Sequence, residues 1–303
     1  MLFRFLILQA LACVLFAAES GPTATRGFGL QPLPASGEAE AAMTRFQIPP
    51  GFKIEVFAAE PMLANPVAFS IDEQGRVFVA ETYRHSAVGP AFRFYEGVFD
   101  IRSHMDWLDQ DLASRSVEDR VGLLRRNLGT NFAKLTGISE KIRLLEDRDH
   151  DGKADFSSIF AEGFNRAADG IGAGVLARHG DVYYTCIPDL WLLRGTNATG
   201  RADTRQSLHT GFGVHIAFLG HDLHGLRLGP DGRLYFSIGD RGINVVTREG
   251  KPLVYPDEGT ILRCELDGSN LEVFARGLRN PQELAFDDFG NLFTGDNNSD
   301  GGD

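Results

Sequence analysis

Four of the chain's eight histidines, His209, His215, His221 and His224, fall within sixteen residues. They lead into Gly229-Pro-Asp-Gly-Arg-Leu-Tyr235, a turn between two apolar runs. Imidazole titrates near neutral pH, so a histidine here can take a proton from a substrate hydroxyl. Zinc binding is a second reading, but residues three apart on a strand face opposite ways, and no neighbouring glutamate completes a ligand pattern. Ordinary hydrogen-bonded histidines are the third. Two arginine positions follow, Arg241 in Ser237-Ile-Gly-Asp-Arg-Gly242 and Arg279 in Gly277-Leu-Arg-Asn-Pro-Gln-Glu283. An arginine fixed before Asn-Pro can present a planar donor fork to a carboxylate or quinone oxygen. A salt bridge between neighbouring structural units is the alternative.

A second chemistry is offered by Asp147-Arg-Asp149-His-Asp151-Gly152-Lys-Ala-Asp155. Alternate carboxylates followed by a turn glycine gather oxygens around one point, and calcium takes six to eight of them. Asp147, Asp149, Asp151 and Asp155 are the candidate ligands. Residue 158 is Ser, so the loop lacks the closing Glu of an EF-hand. A plain acidic turn is the other reading, and a bound ion would be structural. The stretch recurs 48 residues later, from Leu144-Leu…Gly-Lys-Ala-Asp155 to Leu192-Leu…Gly-Arg-Ala-Asp203. The second copy has lost most of its carboxylates and is expected to bind nothing. It carries a formal glycosylation sequon at Asn197.

These groups need a scaffold, and the pattern predicts repeated hairpins. Val67–Ala80, Gly174–Thr185, Leu226–Ser237 and Leu284–Thr294 each place a polar, glycine-bearing turn between two apolar strands. The turn glycines are Gly75, Gly180, Gly232 and Gly290, at spacings of 105, 52 and 58. A period near fifty residues of all-β units predicts a β-propeller. The first step is then read as two periods, giving about four blades. A helical insertion is expected near 103–128, with Ser116 and Asp119 as a variant capping box and residues 117, 121, 124 and 128 on one helix face.

Residues 1–20 carry one positive charge and then an apolar run from Phe5 to Ala18, which reads as a secretory signal peptide. An uncleaved anchor or a lipoprotein at Cys13 are the alternatives. Residues 21–45 read as a flexible linker and 46–303 as the propeller, ending in an acidic loop from Asn297. The expectation is the front part of a longer protein, with six blades in the whole. The formal net charge is −11, which argues against nucleic acid and anionic lipid as partners. Export leaves Cys186 and Cys264 free to pair, with two separate buried thiols as the other reading.

Ile48-Pro-Pro-Gly-Phe52, Glu81-Thr82, the acidic loop, Gly220-His-Asp-Leu-His-Gly225 and the runs Gly229–Gly242 and Gly277–Phe286 resemble the propeller of planctomycete-type membrane-bound dehydrogenases. More distantly, the stretch is similar to the soluble quinoprotein glucose/sorbosone dehydrogenases, six-bladed propellers that hold pyrroloquinoline quinone and calcium. His221 lies eight residues before the Gly of Gly229-Pro-Asp-Gly, where that family has its general base. Arg279, with Asn280 beside it, stands at the family's quinone-contacting arginine. Arg241 and His224 are the further candidates for cofactor contact. The pattern departs at Asn297–Asp303, where the family's Gly-Pro pair is absent.

The resemblance implies an exported dehydrogenase, in the periplasm or on the outer side of a membrane, that oxidises a sugar or alcohol hydroxyl. Electrons would pass to a c-type haem domain or cytochrome outside this segment. Two other classes stay open: a non-catalytic binding module beside an electron-transfer domain, and a calcium-dependent lactonase-type hydrolase.

Overall fold

The computed structural model describes residues 32–85, 98–195 and 199–297. The signal peptide, the sequon at Asn197 and the acidic end beyond Asn297 lie outside them. Within the stretch read as linker, Glu38–Met43 forms one short helix, α1, with no buried residue.

The first sheet is an antiparallel meander of β1 (Pro66–Ile71), β2 (Val77–Glu81), β3 (Glu140–Glu146) and β4 (Phe156–Phe164). The second runs β5 (Gly172–Arg178), β6 (Asp181–Cys186), β7 (Asp189–Arg194), β8 (Thr204–Thr210). The third joins β9 (Leu223–Leu228) and β10 (Leu234–Ile238) to β13 (Gly259–Cys264) and β14 (Glu272–Leu278), with a small hairpin of β11 (Ile243–Val246) and β12 (Pro252–Tyr255) between. A pair, β15 (Pro281–Phe286) and β16 (Leu292–Asp296), follows. The first strands lie side by side in the order β1, β5, β9, β15. That is the radial array of a β-propeller: among the described residues, three four-stranded blades and a further strand pair.

Burial explains which residues took which place. β2 and β10 are buried along their whole length, as apolar runs between neighbours on both faces should be. β8, Thr-Arg-Gln-Ser-Leu-His-Thr, is mostly exposed and polar, which suits an outer edge strand. The four turn glycines all adopt the left-handed conformation, with φ of 77°, 84°, 81° and 82°. Each closes the first hairpin of its blade, as the sequence pattern requires.

The step of 105 residues from Gly75 to Gly180 is a correction. It holds one blade, not two, because the insertion splits that blade between β2 and β3. The insertion is also longer than expected: a 3₁₀ turn at Ile101–Trp107, α2 (Leu108–Leu112), α3 (Val117–Leu128) and a 3₁₀ stretch at Gly129–Thr136. Ser116 caps α3 by accepting from the Asp119 N–H at 3.2 Å, while Asp119 accepts from the Arg115 N–H at 2.9 Å. The buried face of α3 is Val117, Arg120, Leu123 and Leu124, turned from the expected one because Arg120 points inward.

Three buried arginines pin the insertion to the blades. Arg84 donates to the carbonyls of Asp169 (2.6 Å) and Leu135 (2.8 Å). Arg120 reaches Gly213 and Ala168, each at 2.8 Å. Arg241 donates to Phe99 (2.7 Å) and Phe218 (3.0 Å). The Asp111 carboxylate accepts from the N–H groups of Ile216 (2.8 Å) and Ala217 (3.0 Å). Residues 213–219, which lead into His221, are thus held from both sides.

Cys186 and Cys264 are buried and unpaired. Burial pushes both thiols up, that of Cys264 to about 12, so they act as small apolar groups.

Glu140, at the start of β3, is fully buried and accepts from the N–H groups of Tyr83 (3.0 Å) and Arg84 (2.9 Å). Burial raises its carboxyl from 4.5 to about 7, against the opposing pull of Arg84 and these bonds. The folded state therefore holds this proton more firmly than the unfolded chain does. Its contribution to stability is fully present below about 4.5 and is lost as pH rises toward 7. We expect the melting temperature of wild type to fall relative to that of Glu140→Gln over that window and the difference to level off above it. A difference that is flat with pH would show that Glu140 does not titrate there.

Candidate functional site

His221 ends the segment entering β9. Its N–H donates to the Phe218 carbonyl (3.2 Å), a turn that fixes the ring's starting point. Nδ1 lies 2.6 Å from Asp240 Oδ1, and the ring is 5% exposed. A carboxylate only accepts, so the network assigns the proton to Nδ1 and leaves Nε2 as the free base. Asp240 sits on the turn after β10, and its N–H donates to the Arg279 carbonyl at 2.7 Å. This bond ties the third blade to the segment entering β15.

Arg279 and Asn280 are set from the other side by one carboxylate. Asp296, at the end of β16, accepts from their N–H groups at 3.1 and 2.6 Å. The Arg279 guanidinium reaches the Asn297 carbonyl at 2.5 Å and lies 5.6 Å from the centroid of the Phe218 ring. His221 meets the same ring edge-on, centroids 5.4 Å apart. So the two residues read as catalytic converge on Phe218. Gly239 permits this closeness. A Cβ there would come within 2.8 Å of His221 Cβ and 2.9 Å of Asn280 Oδ1, so any larger residue would force the loops apart.

The other expected contacts divide. Asn280 is buried. His224 borders a cavity of about 390 Å³ where β1, β5, β9 and β15 begin. Arg241 has no exposed surface; its Nε and Nη2 donate to the Phe218 and Phe99 carbonyls, while Nη1 has no hydrogen-bond partner among the described residues. It anchors the insertion. His209 and His215 are structural, their rings donating to the Gly268 (2.5 Å) and Asp111 (2.6 Å) carbonyls. Among the described residues none of the four joins a metal-binding group.

Sequence reasoning missed Asp240, Phe218 and Arg102. Arg102 comes from the insertion and lies 5.2 Å from the Phe218 centroid, paired with Asp100 at 2.5 Å. Asp240 could have been found as the acid in the Gly-Asp-Arg turn following the histidines. Phe218 and Arg102 meet only through the insertion's docking, which no local pattern reveals.

The acidic loop lies elsewhere. Pairing places Pro66, Glu81 and Lys141 at one end of the first blade and Ile71, Val77 and Leu145 at the other. The loop after β3 therefore hangs from the end opposite the strand starts that carry the cavity. Oxygens of Asp147, Asp149 and Asp151 lie within 4.8 Å of one another. Asp155, expected as a fourth ligand, is outside that group and accepts from the Arg148 N–H at 3.0 Å. The sequence duplication is one turn used twice. The Asp155 N–H donates to Glu146 (3.0 Å) as the Asp203 N–H donates to Arg194 (2.8 Å).

Residues 38–302 match the family described as a domain of unknown function, DUF7133. No match was found among curated proteins. Among solved structures, the chain is similar to a nidogen/laminin complex at 14% identity and a TM-score of 0.42, over 79% of this chain and 59% of that one. It is similar to an oxidoreductase (glucose dehydrogenase) from Thermus thermophilus at 19% identity and a TM-score of 0.41, over 76% and 57%. It is also similar to the PQQ-bound aldose sugar dehydrogenase of Streptomyces coelicolor at 17% identity and a TM-score of 0.42, over 76% and 55%. The chain thus spans less than two thirds of the length of each.

Proposed function

The chain belongs to the DUF7133 family, and we propose that it is the propeller of an exported quinoprotein-like dehydrogenase acting on a sugar or alcohol hydroxyl. One observation carries the reading: a His221–Asp240 dyad and the Arg279 guanidinium meet on one Phe218 ring. The proposal includes a c-type haem domain or cytochrome as electron acceptor and calcium on the Asp147, Asp149 and Asp151 oxygens.

The residues present fit a planar anionic quinone. Arg279 and Arg102 bring two cationic groups to one aromatic ring, and the buried Asn280 stands next to Arg279. Arg279, Arg102 and Asn280 would hold such a group. When bound, a quinone supplies a two-electron acceptor for the hydride of the alcohol carbon. The chain's own work is proton transfer and charge placement. His221 Nε2 takes the hydroxyl proton, and Asp240 keeps the other proton on Nδ1 and stabilises the imidazolium that forms. Arg279 stabilises negative charge developing beside the ring.

A calcium-dependent hydrolase would draw on Asp222 at the cavity. That carboxylate lies 3.6 Å from the Arg241 guanidinium, which already compensates its charge, so the dehydrogenase reading stands first.

Pyrroloquinoline quinone titrated into the calcium-loaded protein should give saturable one-to-one binding, followed by quinone absorbance. Arg279→Ala should abolish it. A folded protein that binds no quinone would overturn the reading and leave a docking module or a metal hydrolase.

A further inference from the structure

The turn that carries His221 is held at both ends. At its start the Phe218 carbonyl accepts from Arg241 Nη2 (3.0 Å) and from the His221 N–H (3.2 Å). At its end the Gly220 carbonyl accepts from the Gln282 side-chain amide at 3.0 Å. That carbonyl and the His221 N–H belong to one peptide group, which is planar. Gln282 and Phe218 thus fix, from opposite sides, the plane from which His221 leaves the backbone. Gln282 comes from the strand that follows Arg279 and Asn280, so the bond joins the base to the segment of the guanidinium.

Gln282 reaches that carbonyl because β15 is irregular. Gln282 pairs with Gly295 and Leu284 with Thr294, so Glu283 is the extra residue of a bulge, at a left-handed φ of 49°. A regular strand would send Gln282 and Leu284 to one face, and Leu284 packs with Tyr235 and Ile261 of the third blade. The bulge breaks the alternation and re-aims Gln282 toward Gly220. A glutamate in that conformation is strained, and such strain persists where the surrounding structure imposes it, most often at functional sites. The bonds then close a circuit. His221 Nδ1 meets Asp240 at 2.6 Å, the Asp240 N–H meets the Arg279 carbonyl at 2.7 Å, the chain runs on to Gln282, and Gln282 returns to Gly220. Opening the circuit at Gln282 lets the His221 turn move against Asp240 and Arg279.

We propose that Gln282 is a positioning residue, which sets the His221 base against Asp240 and Arg279 without touching the substrate. Its effect on turnover rests on the dehydrogenase reading, so the first readout needs no turnover. By NMR on the full chain with isotope-labelled histidine and no quinone, the His221 Nδ1–H should exchange with water at least about tenfold faster in Gln282→Met than in wild type. The circular dichroism spectrum should stay unchanged. Gln282→Glu, which keeps the length and loses the donor, should do the same and serves if the first variant does not fold. In the turnover assay kcat should fall roughly 10–10²-fold, the scale of a small misplacement, with KM within about twofold of wild type. Wild-type exchange in a folded variant would overturn the proposal. So would a rise in KM with kcat unchanged, which would make Gln282 a ligand contact. Faster exchange in the variants of a protein whose wild type turns over no sugar or alcohol would count against the dehydrogenase reading and for the role of Gln282.

Discussion

His221→Ala is expected to lose most of the proposed turnover while the fold stays intact. With quinone loaded and an artificial electron acceptor, its rate on a sugar or alcohol should fall by roughly 10²–10⁴, the usual worth of a positioned base. The loss should sit in kcat, because the proton moves in the transition state. Stability should fall modestly. Among the described residues the His221 ring makes one side-chain hydrogen bond, to the Asp240 carboxylate at 2.6 Å, and a bond to a charged group contributes about 1.5–3 kcal/mol net. Asp240→Asn is the sharper test, since it keeps the shape and loses the carboxylate that assigns the proton to Nδ1. Its rate should fall too, while Arg279-dependent quinone binding persists. Wild-type rates in His221→Ala would remove the dyad from the mechanism, whatever the fold.

Much of the scaffold is legible in the residues. Gly75, Gly180, Gly232 and Gly290 mark the hairpins because only a residue without Cβ turns there without strain. The duplication at Asp155 and Asp203 is legible for the same reason, since each N–H closes the same turn of its blade. Blade count was harder to read, because an insertion between β2 and β3 imitates a missing repeat in the spacing. The site was half legible. His221, Arg279 and Asn280 come from strand-entry segments with recognisable local signals. Asp240, only 19 residues from His221, carried a local signal, but Phe218 and Arg102 meet through a contact between segments over a hundred residues apart in sequence, as in the bond from Arg241 to Phe99, 142 residues away. Arg241 shows the limit most plainly. An arginine beside a glycine in a turn after the histidines looks available, and only the packing of the insertion over it decides otherwise.

Arg241→Met then separates two roles that the sequence cannot. If Arg241 anchored a cofactor, the variant would keep its stability and lose quinone affinity. The structure implies the reverse order of effects. Removing the guanidinium takes its hydrogen bonds from the carbonyls of Phe99 and Phe218 and leaves Asp222, 1% exposed, without the cation 3.6 Å away. Breaking a buried pair from one side costs about 3–5 kcal/mol. At ~2–4 °C per kcal/mol for a chain of 150–250 residues, the melting temperature should drop by roughly 6–20 °C. The insertion should become the first site of limited proteolysis, since Phe99 and Ile101 hold its leading end to residues 217–218. Arg102→Met is the control. Its side chain is 67% exposed but its partner Asp100 is buried, so the change should cost about 1.5–3 kcal/mol, less than Arg241→Met. The double change Arg241→Met with Asp222→Leu should recover part of the loss, because it removes the stranded charge together with its partner. A single Arg241→Met that melts like wild type would mean the insertion is held without it, and Arg241 would return to the list of ligand contacts.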